Sequence, residues 1–124
     1  MRKLAFLFFI TLVTFTSCKE KSEPKITTIS AEEMQSLLEA ENVKLIDVRT
    51  EEEYKDGFIP GAQNIDFLSP TFYEDIKSLD KNESVIVYCK TGNRSARCAN
   101  ELVKQGFVKI YDLEGGYSKW KHQQ

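Results

Sequence analysis

The sequence predicts an α/β domain with a mainly parallel β-sheet covered by helices on both faces. Three observations carry that expectation: short apolar, β-branched runs recur along the chain, helix-opening patterns alternate with them, and the composition suits one packed domain. Hydrophobic residues are 41% and charged residues 29% of the 124, which is too apolar a balance for a disordered chain. Runs such as Ser84 to Tyr88 (SVIVY) are apolar throughout rather than alternating, as strands buried on both faces require.

In chain order, Ile26 to Ile29 reads as the first strand, and Ser30-Ala31-Glu32-Glu33 is an S-x-x-E capping box opening a helix with Met34, Leu37 and Leu38 on one face. Lys44 to Val48 (KLIDV) is the second strand, and Thr50 with Glu53 forms a second capping box for a shorter helix that Gly57 stops. Gln63 to Asp66 reads as a brief strand, and Pro70 as the first residue of a helix running to Ser78, because proline's fixed φ suits that position. After the SVIVY strand, Arg94 to Gln105 places Ala99, Leu102 and Val103 at helical spacing, with Gly106 as a left-handed cap, and Val108 to Leu113 makes the last strand.

The amino end has a different character. Met1-Arg2-Lys3 is basic, and Leu4 to Val13 (LAFLFFITLV) is apolar, well short of the roughly 20 residues a spanning helix needs. That is the pattern of a signal peptide over residues 1–17. Ser17 before Cys18 resembles a bacterial lipobox, so Cys18 is the expected lipidation site, giving an exported lipoprotein facing the periplasm or cell surface and held at the membrane by its acyl chains. The alternative is an ordinary cleaved leader and a soluble periplasmic protein. Residues 18–25 read as a polar tether, leaving 26–124 as the folded domain.

Composition also excludes. A net charge of −2 gives no general pull toward nucleic acid. Three cysteines and one histidine make neither a disulfide framework nor a zinc site, so no metal or cofactor is expected.

What remains is the segment after SVIVY. Cys89 closes that strand, and Lys90, Thr91, Gly92 and Asn93 lead into a helix beginning at Arg94-Ser95. Parallel sheets place ligands at the carboxyl ends of their strands, and a strand, tight loop and helix start gather backbone N–H groups into an anion-binding concavity. A cysteine there is expected to titrate below the free value of about 8.5 without a separate base. That suits a chain whose one histidine, His122, is the third residue from its carboxyl end. Arg94 in the first turn of a helix opposes the dipole unless an anion sits beside it, either a substrate or a salt-bridge partner.

The stretch Cys89-Lys90-Thr91-Gly92-Asn93-Arg94-Ser95 resembles the six-residue active-site loop of the rhodanese family, sulfurtransferases that carry sulfane sulfur as a cysteine persulfide. Leu45-Ile46-Asp47-Val48-Arg49, Glu53 to Ala62 (EYKDGFIPGA) with Asn64-Ile65, and Leu113 to Trp120 (LEGGYSKW) agree in order and spacing. The resemblance implies a three-layer α/β/α domain with a five-stranded, mainly parallel sheet and Cys89 as the catalytic nucleophile. It implies a small anionic donor such as thiosulfate bound by Lys90, Thr91, Gly92, Asn93, Arg94 and Ser95, and cyanide or a thiol, including a protein thiol, as acceptor. Thr91 stands where some thiosulfate-using relatives carry a basic residue. Cysteine phosphatases of related shape use Cys-x5-Arg, whereas Cys89 to Arg94 is Cys-x4-Arg, a ring of amides too small for phosphate.

Asp47 and Arg49 read as a structural pair at a strand end, since buried charges need partners. Gly57, Gly61, Gly115 and Gly116 read as turn residues, and Trp120 as a core cover. Cys98 reads as a small buried side chain, or alternatively as a resolving thiol for Cys89. The competing function is a non-catalytic or redox-sensing module at the cell envelope that binds a protein partner.

Overall fold

The computed structural model describes residues 23–40 and 42–124, with Val13, Thr14 and Thr16. The rest of the expected leader, the expected lipidation site Cys18 and most of the tether lie outside the described residues. Among the described residues no helix is long and apolar enough to cross a membrane.

The elements are β1 (Lys25–Ile29), α1 (Ala31–Ala40), β2 (Lys44–Asp47), α2 (Glu51–Lys55), β3 (Gln63–Asn64), α3 (Phe72–Asp75), β4 (Val85–Tyr88), α4 (Asn93–Lys104), β5 (Lys109–Leu113) and α5 (Gly116–His122). The five strands form one sheet in the order β1-β5-β4-β2-β3, and every pairing is parallel. The expected fold class therefore holds.

Both capping boxes form as their spacing demands. Ser30 N–H donates to Glu33 Oε2 at 2.8 Å while Glu33 N–H donates to Ser30 Oγ at 3.1 Å, satisfying two donors that helix ends otherwise leave bare. The Thr50 and Glu53 pair does the same at the start of α2. At the other end of α4, Gly106 has φ +96° and Phe107 N–H donates to Leu102 O, the expected left-handed stop.

Three expectations needed correction. Pro70 does not open a helix: it sits in a turn, α3 starts at Phe72 behind Thr71, and Ile76–Ser78 continue as a 3₁₀ turn. The Ser69 and Thr71 hydroxyls, bonded to each other at 2.8 Å, hold that turn and delay the helix. The Gln63 strand is only two residues long. Gly115 and Gly116 do more than turn the chain: they open α5, with Gly116 as its first residue, a helix that nothing in the apolar periodicity announces.

The strands' two-residue alternation divides the core. Val85, Val87 and Cys89 face a layer containing Phe72, Ile76, Ala99 and Leu102 from α3, the 3₁₀ turn and α4. Ile86 and Tyr88 face the opposite layer with Met34 from α1, and Trp120 from α5 packs against it. Fully burying one such aliphatic side chain stabilises the fold by about 1.5–3 kcal/mol. Because β4 lies between β5 and β2, the chain leaves its carboxyl end in one direction and the carboxyl end of β2 in the other. Ligands of such sheets bind at that switch point, beside the strand ends that carry Asp47 and Cys89.

Candidate active site

Cys89 follows directly on β4 and is buried, at 1% relative exposure. Gly92 precedes α4 with φ +122°, a backbone state that side chains rarely adopt, and this turns its N–H back to donate to Cys89 Sγ at 3.0 Å. Ser95, wholly buried in the first turn of α4, lies with Oγ 3.5 Å from Sγ and donates to Gly92 O at 3.1 Å. Burial works to raise the Cys89 thiol. The Ser95 hydroxyl and the backbone N–H groups of Ser95, Gly92 and Thr91 outweigh it and bring the thiol below its ordinary value.

The loop is clamped from behind by α5. Tyr117 N–H donates to Cys89 O at 2.8 Å and Ser118 N–H to Lys90 O at 3.0 Å. That approach requires glycine at 116, where a Cβ would stand 2.5 Å from Cys89 O. The reading of Gly116 as a turn residue was thus incomplete, since it is also a point of close backbone contact.

Arg94 finds its anion inside the protein. Its guanidinium is bidentate to Glu53, with Nη1 to Oε2 at 2.7 Å and Nη2 to Oε1 at 2.8 Å. The same Oε2 accepts from Thr50 N–H at 3.0 Å, so one carboxylate caps α2 and holds Arg94. Arg94 foremost, opposed by burial and helped by the Thr50 N–H and hydroxyl, brings Glu53 down to about 2. Of the two partners the sequence left open for Arg94, the salt bridge is the one present. The sequence pattern marks Glu53 as a cap, and nothing in the spacing ties it to a residue 41 positions away.

Asp47 and Arg49 are both buried and joined through Arg49 Nη2 to Asp47 Oδ2 at 2.6 Å, with Nη2 also donating to Gly57 O at 2.6 Å. The Tyr117 ring stacks over the guanidinium, 4.2 Å away. The pair braces the carboxyl end of β2 against α5. Lys90 and Thr91 are exposed on the loop, and Asn93, also exposed, already belongs to α4, which starts one residue before the expected Arg94. A cleft of about 490 Å³ beside it is lined by Lys90, Tyr117, Lys121, His122, Arg49 and Glu53 among others. His122 thus comes near the loop, but no hydrogen bond among the described residues joins it to Cys89.

Cys98, one turn along α4 from Ser95, is buried and unbridged. Burial and the nearby Asp112 push its thiol up to about 12. Among the described residues no group of three His, Cys, Asp or Glu side chains is arranged to hold a metal ion.

Residues 30–123 match the model of the rhodanese-like domain. The chain is 37% identical over 93 residues to the thiosulfate sulfurtransferase GlpE of Pseudomonas fluorescens, covering 75% of this chain and 83% of that protein. It is 30% identical over 132 residues to rhodanese-like domain-containing protein 17 of Arabidopsis thaliana, covering 97% and 84%. Among solved structures, a rhodanese-like domain protein from Staphylococcus aureus superposes with a TM-score of 0.67 at 34% identity, over 76% of this chain and 90% of that one.

Proposed function

The chain belongs to the rhodanese-like family, and from that premise we propose that it is a sulfurtransferase working through a persulfide on Cys89. The Cys89 thiolate attacks the outer sulfur of an anionic donor such as thiosulfate. A new S–S bond forms and the old one breaks, with its electron pair leaving on sulfite. The outer sulfur, now carried as Cys89 persulfide, is passed to cyanide or a thiol that attacks it, and Cys89 departs as thiolate. The observation that carries this reading is the Gly92 N–H aimed at a buried Sγ, part of an amide ring that favours an anion on sulfur.

Lys90, exposed on the loop and lining the cleft, is free to draw in the donor's charge. Arg94 contributes to the positive potential at the loop while remaining tied to Glu53. Asp47 and Arg49 support the scaffold. The redox-sensing alternative loses support from Cys98, since a thiol pushed up to about 12 lacks the thiolate a resolving partner needs. The exported lipoprotein, anchored through Cys18, remains part of the proposal.

The test is an assay of purified residues 23–124 with thiosulfate and cyanide. Cys89→Ser is expected to abolish thiocyanate formation and Cys98→Ser to retain it. Equal activity in all three proteins would overturn the assignment.

A further inference from the structure

Sulfur transfer as described makes no use of Asp112, yet the structure leaves that carboxylate in an unusual position. Its Oδ1 is shielded from solvent and has no hydrogen-bond partner. An unpaired buried polar atom is costly, more so when charged, so its persistence calls for a reason. Asp112 lies opposite Val87 in the β4 and β5 register. Val87 and Cys89, two residues apart, face the side of the sheet that α4 covers. Ser95 is buried on that same side, 3.5 Å from Sγ. Burial pushes the Asp112 carboxyl above its ordinary value, and the nearby Ser95 side chain works against that rise. Thiol, hydroxyl and carboxylate therefore follow one another beneath the loop.

We propose that Asp112 receives the proton that Cys89 gives up, with the Ser95 hydroxyl as the relay, a role in turnover that rests on the sulfur-transfer reading. The Sγ–H bond breaks and its proton passes to Ser95 Oγ, as the Ser95 hydroxyl proton passes to the Asp112 carboxylate. No electrons change hands, and one negative charge moves from carboxylate to sulfur. A buried cluster tolerates one such charge far better than two. In the structure the Ser95 hydroxyl donates to Gly92 O, so the relay requires that hydroxyl to swing from the carbonyl to the carboxylate. Because the thiolate and the persulfide are both anions, the proton stays on Asp112 through both halves of the transfer.

The other groups facing this cluster do not supply the proton acceptor. Cys98 on α4 is held neutral, Thr28 stands opposite Asp112 on β1, Glu101 acts on Cys98 further along α4, and Arg94 is engaged by Glu53. In β5, KIYDL, the sequence carries its own signal of Asp112: a carboxylate between the apolar Tyr111 and Leu113.

Thiolate absorbance of the full chain, measured against pH as the difference from Cys89→Ser, isolates Cys89 from the other thiols. Coupled groups titrate as a pair, so two steps are expected for the natural sequence and one for Asp112→Asn. A variant curve identical to that of the natural sequence would overturn the proposal. If Asp112→Asn fails to fold, the natural sequence provides the second measurement: the Asp112 carboxyl carbon, titrated by NMR before and after alkylation of Cys89. Its midpoint is expected to move by about one pH unit or more, and an unmoved midpoint would overturn the relay. Coupling without thiocyanate formation would remove the sulfur-transfer reading and keep the relay, whereas transfer without coupling would remove the relay alone.

Discussion

Replacing Glu53 with glutamine removes one negative charge while keeping a side chain that can still cap α2, so the loss falls mainly on the bond to Arg94 and, to a smaller degree, on those from Thr50. The folded protein holds Glu53 at about 2 against an ordinary 4.5. Two and a half units at 1.36 kcal/mol each set a ceiling of about 3.4 kcal/mol. The Arg94 and Glu53 side chains are 22% and 29% exposed, so solvent screens the pair and about 1.5 kcal/mol is the expected loss at pH 7. A carboxylate whose folded pKa is depressed contributes fully above its unfolded pKa, and that contribution fades as pH falls toward the folded one. The gap between Glu53→Gln and the natural sequence should therefore be full at pH 7, less than half as large at pH 3, and gone below pH 2. Urea unfolding followed by circular dichroism at these pH values measures it, and at pH 7 the melting temperature should drop by roughly 6–12 °C. A gap below about 0.5 kcal/mol at pH 7, or one of equal size at pH 3, would refute this account of the pair.

Asp47→Asn should cost about 3–5 kcal/mol, because it leaves the buried Arg49 guanidinium facing a neutral amide; a loss under about 1 kcal/mol by denaturant unfolding would show that the pair does not brace β2. Cells expressing the natural sequence and fed a fatty-acid analogue should label the protein, and Cys18→Ala should lose the label. An unlabelled natural protein would reject the anchor.

What could be read in the sequence was local. Ser30 with Glu33 and Thr50 with Glu53 are contacts three residues apart, and the strand-loop-helix passage around Cys89 needs only neighbouring residues to define it. The capping partner Glu53 could be found by spacing, but its second bond, to Arg94, spans 41 residues and depends on how α2 packs against α4. The α5 helix escaped notice because no side chain caps it: Gly115 begins it in a left-handed conformation, and its anchorage comes from contacts with the Cys89 loop. Asp112 acquires meaning only through the β4 and β5 register, which sets it beside a strand more than twenty residues earlier.

The grip of α5 on the carbonyls of Cys89 and Lys90 also sets a timetable for synthesis. The two amides that fasten the nucleophile's loop, those of Tyr117 and Ser118, follow Cys89 in the chain only after the whole of α4 and β5. A nascent chain that has emerged only through β5 holds its sulfur in an unfastened cradle. Organisation of the thiol's loop thus waits for an element that follows every strand of the sheet.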